Sequence, residues 1–401
     1  MRGMRIMAAL AAMMLLAAAC GGSDDTGTTD TGGGPDESTL PTEIGAGEGE
    51  LNLIAWSGYV EDGSNDPGYD WVTQFEKDTG CKVKTKYGDT SDEMVTLMRQ
   101  GGGSVYDGVS ASGDASNRLI AGGDVAEINI DLIPDYADVM PSLQEPGHNT
   151  VDGKHYGVPY LWGPNVLMYI TDVVKEAPTS WDVTFEPDSP YAGKVTAYDS
   201  PIFIADAAMY LREHQPDLGI TDPYELTQEQ LDAAVELLKG QSEIVGKYWA
   251  AYSDEIDGFA SGDLAIGTAW PYQVNVLQSD KEPIEATIPS EGATGWADTW
   301  MMSTNAPHPN CMYEWMKWTM TPDVQATAAA WFGGTPSSTT ACDPLRKAIG
   351  KSADDTYHCG DDGFLSGIEL WKTPIPDCGD DRGETCTDYS VWTQKWQEVR
   401  G

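Results

Sequence analysis

The chain has 401 residues, with 64 acidic against 23 basic side chains and a formal charge of −41. So acidic a surface is a poor partner for nucleic acid, whose phosphates it repels. The acids are spread along the whole chain, which fits solvation in a salty habitat better than a field built to steer one cationic ligand.

Arg2 and Arg5 precede an apolar run from Ile6 to Ala19, too short for a permanent membrane span. The run ends in LLAAAC, which resembles a bacterial lipoprotein signal in which Cys20 becomes the lipidated first residue. The usual leucine three places before the cysteine is Ala17 here, with Leu16 one place further back. Residues 1–19 are therefore expected to be a leader. Residues 20–49, rich in Gly, Thr, Asp and Pro, read as a flexible tether. No later segment approaches about eighteen unbroken apolar residues, so the expected protein is anchored to a membrane, not embedded in it. About 350 residues remain, enough for two lobes.

LNLIAW (51–56) is a short apolar strand that runs into the turn SGY. DWVTQFEKDTG (70–80) has helical spacing and a glycine stop, and CKVKTKYGD alternates like a strand. SDEMVTLMRQGG begins with a cap-like Ser91 and carries Met94, Leu97 and Met98 on one face. VYDGVSAS reads as a strand and DASNRLIAGG as a helix start. YGVPYLWGPNVLMYI (156–170) reads as a strand broken by Pro159 and Pro164, a candidate crossing between lobes. A second series follows: the strand KVTAYDS, the helix IADAAMYLREH, then LTQEQLDAAVELLKGQ with Thr227 as N-cap and Gln230 three residues on. DGFASGDLAIGTAW gives a helix, a turn and a strand, and MYEWMKWTMTPDVQATAAAWFGG is helical with a break near Thr321–Pro322. Strands alternating with helices argue for an α/β fold. The tail from 336 is loop-rich and acidic and ends in the helical VWTQKWQEV.

Apart from Cys20, six cysteines remain, and an even number in an exported chain favours disulfides over metal sites. Cys378 with Cys386, around GDDRGET, is the local pair expected first. Cys342 with Cys359 comes next, leaving Cys81 with Cys311.

GWADTW (295–300) sets a carboxylate between two tryptophans. On a strand, Trp296, Asp298 and Trp300 share a face. A carboxylate buried against apolar rings is costly unless a cation pairs with it, and indole faces attract cations.

The order of these signatures resembles the spermidine/putrescine-binding proteins of ABC importers. The resemblance rests on AWSGYV, WVTQFEKDTGCKVKTKYGDTSDEMVTLM, YGVPYLWG, SWDV, ASGDLAIGTAW, GWADTW and EWMKWTMTPDVQA followed by GGTPSS, and covers about residues 51–345. It implies a type II periplasmic-binding-protein-like fold: two α/β lobes, mixed sheets flanked by helices, and a ligand cleft between them. The lobes are expected at 50–162 with 297–334, and at 163–296 with 335–401. The family holds polyamine ammonium groups with carboxylates and sandwiches the methylene chain between aromatic rings.

Carried over residue by residue, Trp56, Ser57 and Tyr59 match the first aromatic loop and Ser112 a polar contact. Asp199 matches an ammonium-binding carboxylate, Ser253 a polar position, Trp270 an aromatic wall, and Trp296 with Asp298 the pair that holds an amine. Three positions depart from the pattern. Asp114 stands where the family has a tyrosine, Ile202 where it has a second carboxylate, and Lys372 near an amide position. The implied protein is a monomeric periplasmic or cell-surface lipoprotein, anchored through Cys20. It would capture putrescine or spermidine and pass it to an ABC permease, with no cofactor and no metal. One alternative is a zwitterion resembling 4-aminobutyrate or an opine, its carboxylate held by Lys372. Another is a calcium-binding surface lipoprotein using the loops DCGDDRGET and CGDDGF. Catalysis is not expected, because neither G-x-S-x-G nor H-E-x-x-H occurs and the five histidines show no ligand spacing; His148 and His155 are expected in a solvated loop. Trp162, Trp181, Trp315 and Trp318 are expected in the core.

Overall fold

The computed structural model describes residues Leu40–Gly401. The leader, Cys20 and most of the tether lie outside the described residues. The last stretch of the expected tether is not loose. The Glu48 carboxylate accepts hydrogen bonds from the backbone N–H groups of Asn310 and Cys311, where a helix begins.

The first lobe opens with β1 (Glu50–Ala55), α1 (Val72–Thr79), β2 (Lys82–Tyr87), α2 (Ser91–Met98), β3 (Gly108–Ala111) and α3 (Gly113–Ala121). β1 pairs in parallel with both β2 and β3, as β-α-β units require. Helix α1 stops at Gly80, whose φ of +76° suits glycine. The cap of α2 is Thr90, not the expected Ser91: the Thr90 hydroxyl accepts from the Glu93 N–H at 3.2 Å. Ser91, one residue inside the helix, turns its hydroxyl to Asp114 instead.

The chain then runs through β4 (Val158–Pro164) and crosses at Asn165 into β5 (Val166–Ile170). Pro159 does not break β4; it sits within the strand, opposite Thr299. The second lobe follows with β6 (Val195–Tyr198), α4 (Ile204–His214), α5 (Gln228–Ser242), β7 (Val245–Trp249), α6 (Tyr252–Ser261), β8 (Ile266–Ala269), α7 (Pro271–Ser279) and β9 (Ile284–Thr287). The expected capping box opens α5: the Gln230 side chain accepts from the Thr227 N–H, and Thr227 caps Gln230 in return. The return crossing is β10 (Thr294–Met302), then α8 (Pro309–Thr319) and α9 (Pro322–Phe332), divided at Thr321–Pro322 as expected. β11 (Thr335–Pro336), α10 (Cys342–Ile349), β12 (Glu369–Leu370) and α11 (Tyr389–Arg400) complete the chain.

Two sheets result. The seven-stranded sheet of the first lobe runs β11-β4-β10-β3-β1-β2, with β12 alongside β10; the five-stranded sheet of the second runs β9-β5-β8-β6-β7. β10 lies antiparallel to β3 and β4 and is buried along its whole length. The expected lobe boundaries near 162 and 296 fall inside β4 and β10. Residues 335–365, expected in the second lobe, pack on the first: β11 pairs with β4, α10 lies on α9, and Ser142 donates to Asp362 from its N–H and its hydroxyl. From Glu369 the tail touches both lobes: β12 pairs with β10 of the first sheet while Glu369 binds Arg212 of the second lobe, and α11 packs on α5 of the second lobe.

Asn165 and Thr294 hold the two crossing strands together. The Asn165 amide donates to the Thr294 hydroxyl at 2.6 Å, and that hydroxyl donates to the buried Asp206 of α4 at 2.9 Å. The three disulfides are Cys81–Cys311, Cys342–Cys359 and Cys378–Cys386, the pairing expected from spacing. Trp162, Trp181 and Trp315 are core residues, and Trp318 is half-buried against them.

Candidate ligand-binding site

The site gathers at strand ends. Trp56 follows β1, Ser112 follows β3 and caps α3, and Trp270 follows β8 and caps α7. These are the carboxyl ends of their strands, where α/β folds place ligands. Trp296 and Asp298 come from β10, Phe332 from the end of α9 and Trp371 from the residue after β12. These seven side chains from both lobes line one small cavity.

Asp298 is the centre of the arrangement. It is 3 % exposed. The Tyr59 hydroxyl donates to its Oδ2 at 2.6 Å and the Ser112 hydroxyl donates to its Oδ1. Burial pushes its carboxyl up to about 7; the two hydroxyls pull the other way, and nearby Asp114 adds a further push upward. No Lys or Arg pairs with it among the described residues.

The rings are fixed by close approach. A side chain at Gly163 or at Gly334 would come within 2.8 Å of the Trp296 indole, so the ring lies clamped between two glycines. Trp371 is seated by its backbone: its N–H donates to the Gly295 carbonyl at 2.7 Å, and a Cβ on Gly113 would stand 1.8 Å from its carbonyl oxygen. Trp56 meets Trp270 edge-on at 5.7 Å, Trp296 meets Phe332 edge-on at 5.5 Å, and Trp371 stacks on Tyr198. The indole N–H groups of Trp56, Trp296 and Trp371 have no acceptor among the described residues. The space enclosed is about 10 Å³, about one water molecule. A guest larger than that would need more room than this arrangement leaves.

Of the expected site residues, Trp56, Ser112, Trp270, Trp296 and Asp298 come together here, and Tyr59 stands behind Asp298. Ser57 lines an adjoining cavity. Four others lie elsewhere. Asp114 is buried behind Ser112, where Ser91 donates to it at 2.9 Å and Arg118 lies 3.7 Å away. Burial raises its carboxyl to about 6, although Arg118 pulls it down. Asp199 accepts from the Trp396 indole N–H at 3.0 Å and pairs with Arg400 at 3.1 Å, both on α11. Lys372 is held by Asp222 and Glu225 at 2.7 and 2.5 Å. Ser253 is exposed on α6; its neighbour Tyr252 faces the cleft. Trp300 packs into the core against Trp315 and Tyr160. Cys20 lies outside the described residues.

Four carboxylates of the two acidic loops are engaged, with Asp377 accepting from the Gly379 N–H. Asp361 caps the short turn that follows it, Asp362 takes Ser142, and Asp380 pairs with Arg382. His148 is buried, not solvated, and its imidazole is pushed down to about 4 by that burial. Phe332, Trp371, Tyr252 and Tyr272 were not singled out from sequence. Trp371 carried a signal, as an aromatic beside a short strand in the tail; Phe332 carried a weaker one, the last helical residue before GG.

Two lobes, crossing strands and an aromatic-lined cavity at the strand ends are the architecture of a solute-binding protein. The family model of bacterial extracellular solute-binding proteins matches residues 70–353, and the chain belongs to that family, which is one of transport proteins and not of enzymes. It is 29% identical over 293 residues to the putrescine/agmatine-binding protein of Pseudomonas aeruginosa, covering 68% of this chain and 75% of that one. It is 25% identical over 298 residues to the putrescine-binding periplasmic protein PotF of Escherichia coli, covering 71% and 76%. Among solved structures, the TpPotD lipoprotein of Treponema pallidum superposes with a TM-score of 0.67 at 17% identity, over 87% of this chain and 99% of that one, a likeness of fold. No described helix is long and apolar enough to cross a membrane.

Proposed function

We propose that this chain is the capture subunit of an ABC importer for a small organic polyamine of the putrescine or spermidine type. The observation that carries the reading is Asp298: a buried carboxylate whose protein partners are neutral hydroxyls, set among indole faces. Hydroxyls satisfy its lone pairs without cancelling its charge, so the charge remains for a guest. Indole faces favour a desolvated alkylammonium, and their flat surfaces suit methylenes. The relatives named for putrescine support the same choice. Lobe closure would then present the loaded form to the permease. The lipoprotein signal ending at Cys20 supports anchoring on the outer side of the cytoplasmic membrane or on the cell surface.

Calorimetric titration of a Cys20→Ser form tests the reading, using putrescine, spermidine, spermine and 4-aminobutyrate at low and high salt. Micromolar or tighter binding of a di- or triamine is expected. Binding of 4-aminobutyrate with silence towards every polyamine would overturn it. In that case the free indole N–H groups would be the acceptor-seeking part of the site.

A further inference from the structure

A diamine has two ammonium groups, and Asp298 accounts for one. The sequence offered Asp199 for the other, but Arg400 and Trp396 already hold that carboxylate. Asp114 is enclosed by Ser91 and Arg118, and Ile202 carries no charge. A different carboxylate lies along the aromatic walls. The cavity containing Asp298 shares Trp56, Trp270 and Phe332 with a second cavity, whose lining includes Asp89 and the tyrosines Tyr252 and Tyr272 of the opposite lobe.

Resting on the polyamine reading above, we propose that Asp89 receives the second ammonium group and so sets the preference for diamines over monoamines. The loop that carries it is fixed at both ends. The Gly88 N–H donates to the Ala55 carbonyl at 3.1 Å, which ties the loop to the residue before Trp56. The Asp89 N–H donates to Glu93 Oε2 at 3.0 Å. The Asp89 carboxylate itself has no hydrogen-bond or ion-pair partner among the described residues. Neighbouring charges are arranged for a cation. Glu93 and Asp254 stand near, and the one nearby cation, Lys86, lies 3.5 Å from Glu93 Oε1. Partial burial, then Glu93 and Asp254, raise the Asp89 carboxyl above its ordinary value, while Lys86 opposes them; a second ammonium would relieve that crowding. Asp89 comes from the first lobe and the two tyrosines from the second, so closure would cover the distal amine as it covers the proximal one.

Asp89 is exposed, so its replacement leaves the core untouched. The test is titration of wild type, Asp89→Asn and Asp298→Asn with putrescine and with n-butylamine, which has the same carbon chain and one amine. Asp89→Asn is expected to weaken putrescine about 3- to 10-fold, as befits a half-solvated charge pair, and to leave butylamine within about twofold of wild type. Asp298→Asn is expected to weaken both. Unchanged putrescine affinity in Asp89→Asn, with wild type binding it, would overturn this assignment alone. Equal loss of both amines in Asp89→Asn would also overturn it, because the effect would then not belong to the second nitrogen. A wild-type protein that takes neither amine would overturn the polyamine reading together with this one.

Discussion

Two carboxylates expected to hold amines, Asp298 and Asp199, have opposite surroundings. Asp298 sits in β10 of the first lobe with a tyrosine and a serine hydroxyl as donors. Asp199 follows β6 of the second lobe, with a guanidinium and an indole N–H as donors. Both have hydrogen-bond partners, but the Arg400 guanidinium offsets the Asp199 charge, whereas the neutral hydroxyls at Asp298 do not. The same residue type therefore serves different ends. Asp298, when ionised, has no protein cation among the described residues to offset its charge, and Asp199 fastens α11 to the second lobe.

The largest expected effect breaks the Asp298 side of this comparison. Asp298→Asn should weaken a diamine by about 1–3 kcal/mol, or roughly 5- to 150-fold, through loss of a charge-assisted bond. Calorimetry reads it, and unchanged affinity would remove Asp298 from the site. The same variant should be more stable than wild type without ligand. Burial raises the carboxyl to about 7 in the folded protein, above its unfolded value. This group therefore favours folding while protonated and opposes it as pH rises through about 7. Asparagine removes that opposition, so thermal unfolding at pH 8 should shift upward and at pH 5 should shift less.

The next effect follows from the same proton. Below about pH 7 the ligand-free Asp298 holds a proton that an incoming cation must displace, while the ammonium groups stay charged. Affinity should then fall by up to about tenfold for each pH unit below 7, and proton release should be visible as a buffer-dependent binding enthalpy. A flat profile between pH 5 and 8 would place the amine elsewhere. A smaller loss, about 1–2 kcal/mol, is expected for Trp270→Ala, which deletes a ring face from the guest's wall. Its preference for amines over carboxylates should be unchanged. A variant that gained carboxylate ligands would contradict the role of that ring.

The half of the site on regular strands was legible in the sequence, and the half on the tail was not. Period-two alternation put Trp296 and Asp298 on one face of a strand, and the resemblance of GTAW to the family's aromatic wall pointed to Trp270, which follows another strand. The crossing at 156–170 was read from Pro159 and Pro164; only Pro164 marks it, as the last residue of β4 before Asn165, while Pro159 lies inside that strand. The cysteine pairing followed from separation along the chain. The surroundings of Asp199 and Lys372 were not legible for one reason. Their partners, Arg400, Asp222 and Glu225, are brought to them by the packing of the last residues, which carry little regular pattern. Charge pairing across about 150 to 200 residues leaves no local periodicity to read. The same holds for Trp371, whose position depends on a two-residue strand and on the bare Cα of Gly113.

The smallest expected effect is the most discriminating one. Asp199→Asn should change diamine affinity by less than about 0.5 kcal/mol, the range of a surface change away from any site. It removes one partner of Arg400, which also lies 3.9 Å over the Tyr248 ring and keeps that contact. The cost should therefore appear in stability, as a modest fall in the unfolding temperature from a looser α11. The Trp396 N–H can still donate to the asparagine oxygen, which limits that fall. If affinity dropped as far as it does in Asp298→Asn, the Asp199 charge would have to reach the ligand. That requires Arg400 to leave it on binding, so α11 would be a moving part of the second lobe and not a fixed support. Hydrogen exchange along Tyr389–Arg400, with and without putrescine, separates the two cases: equal protection fits a structural Asp199, and deprotection on binding fits a carboxylate released to the guest.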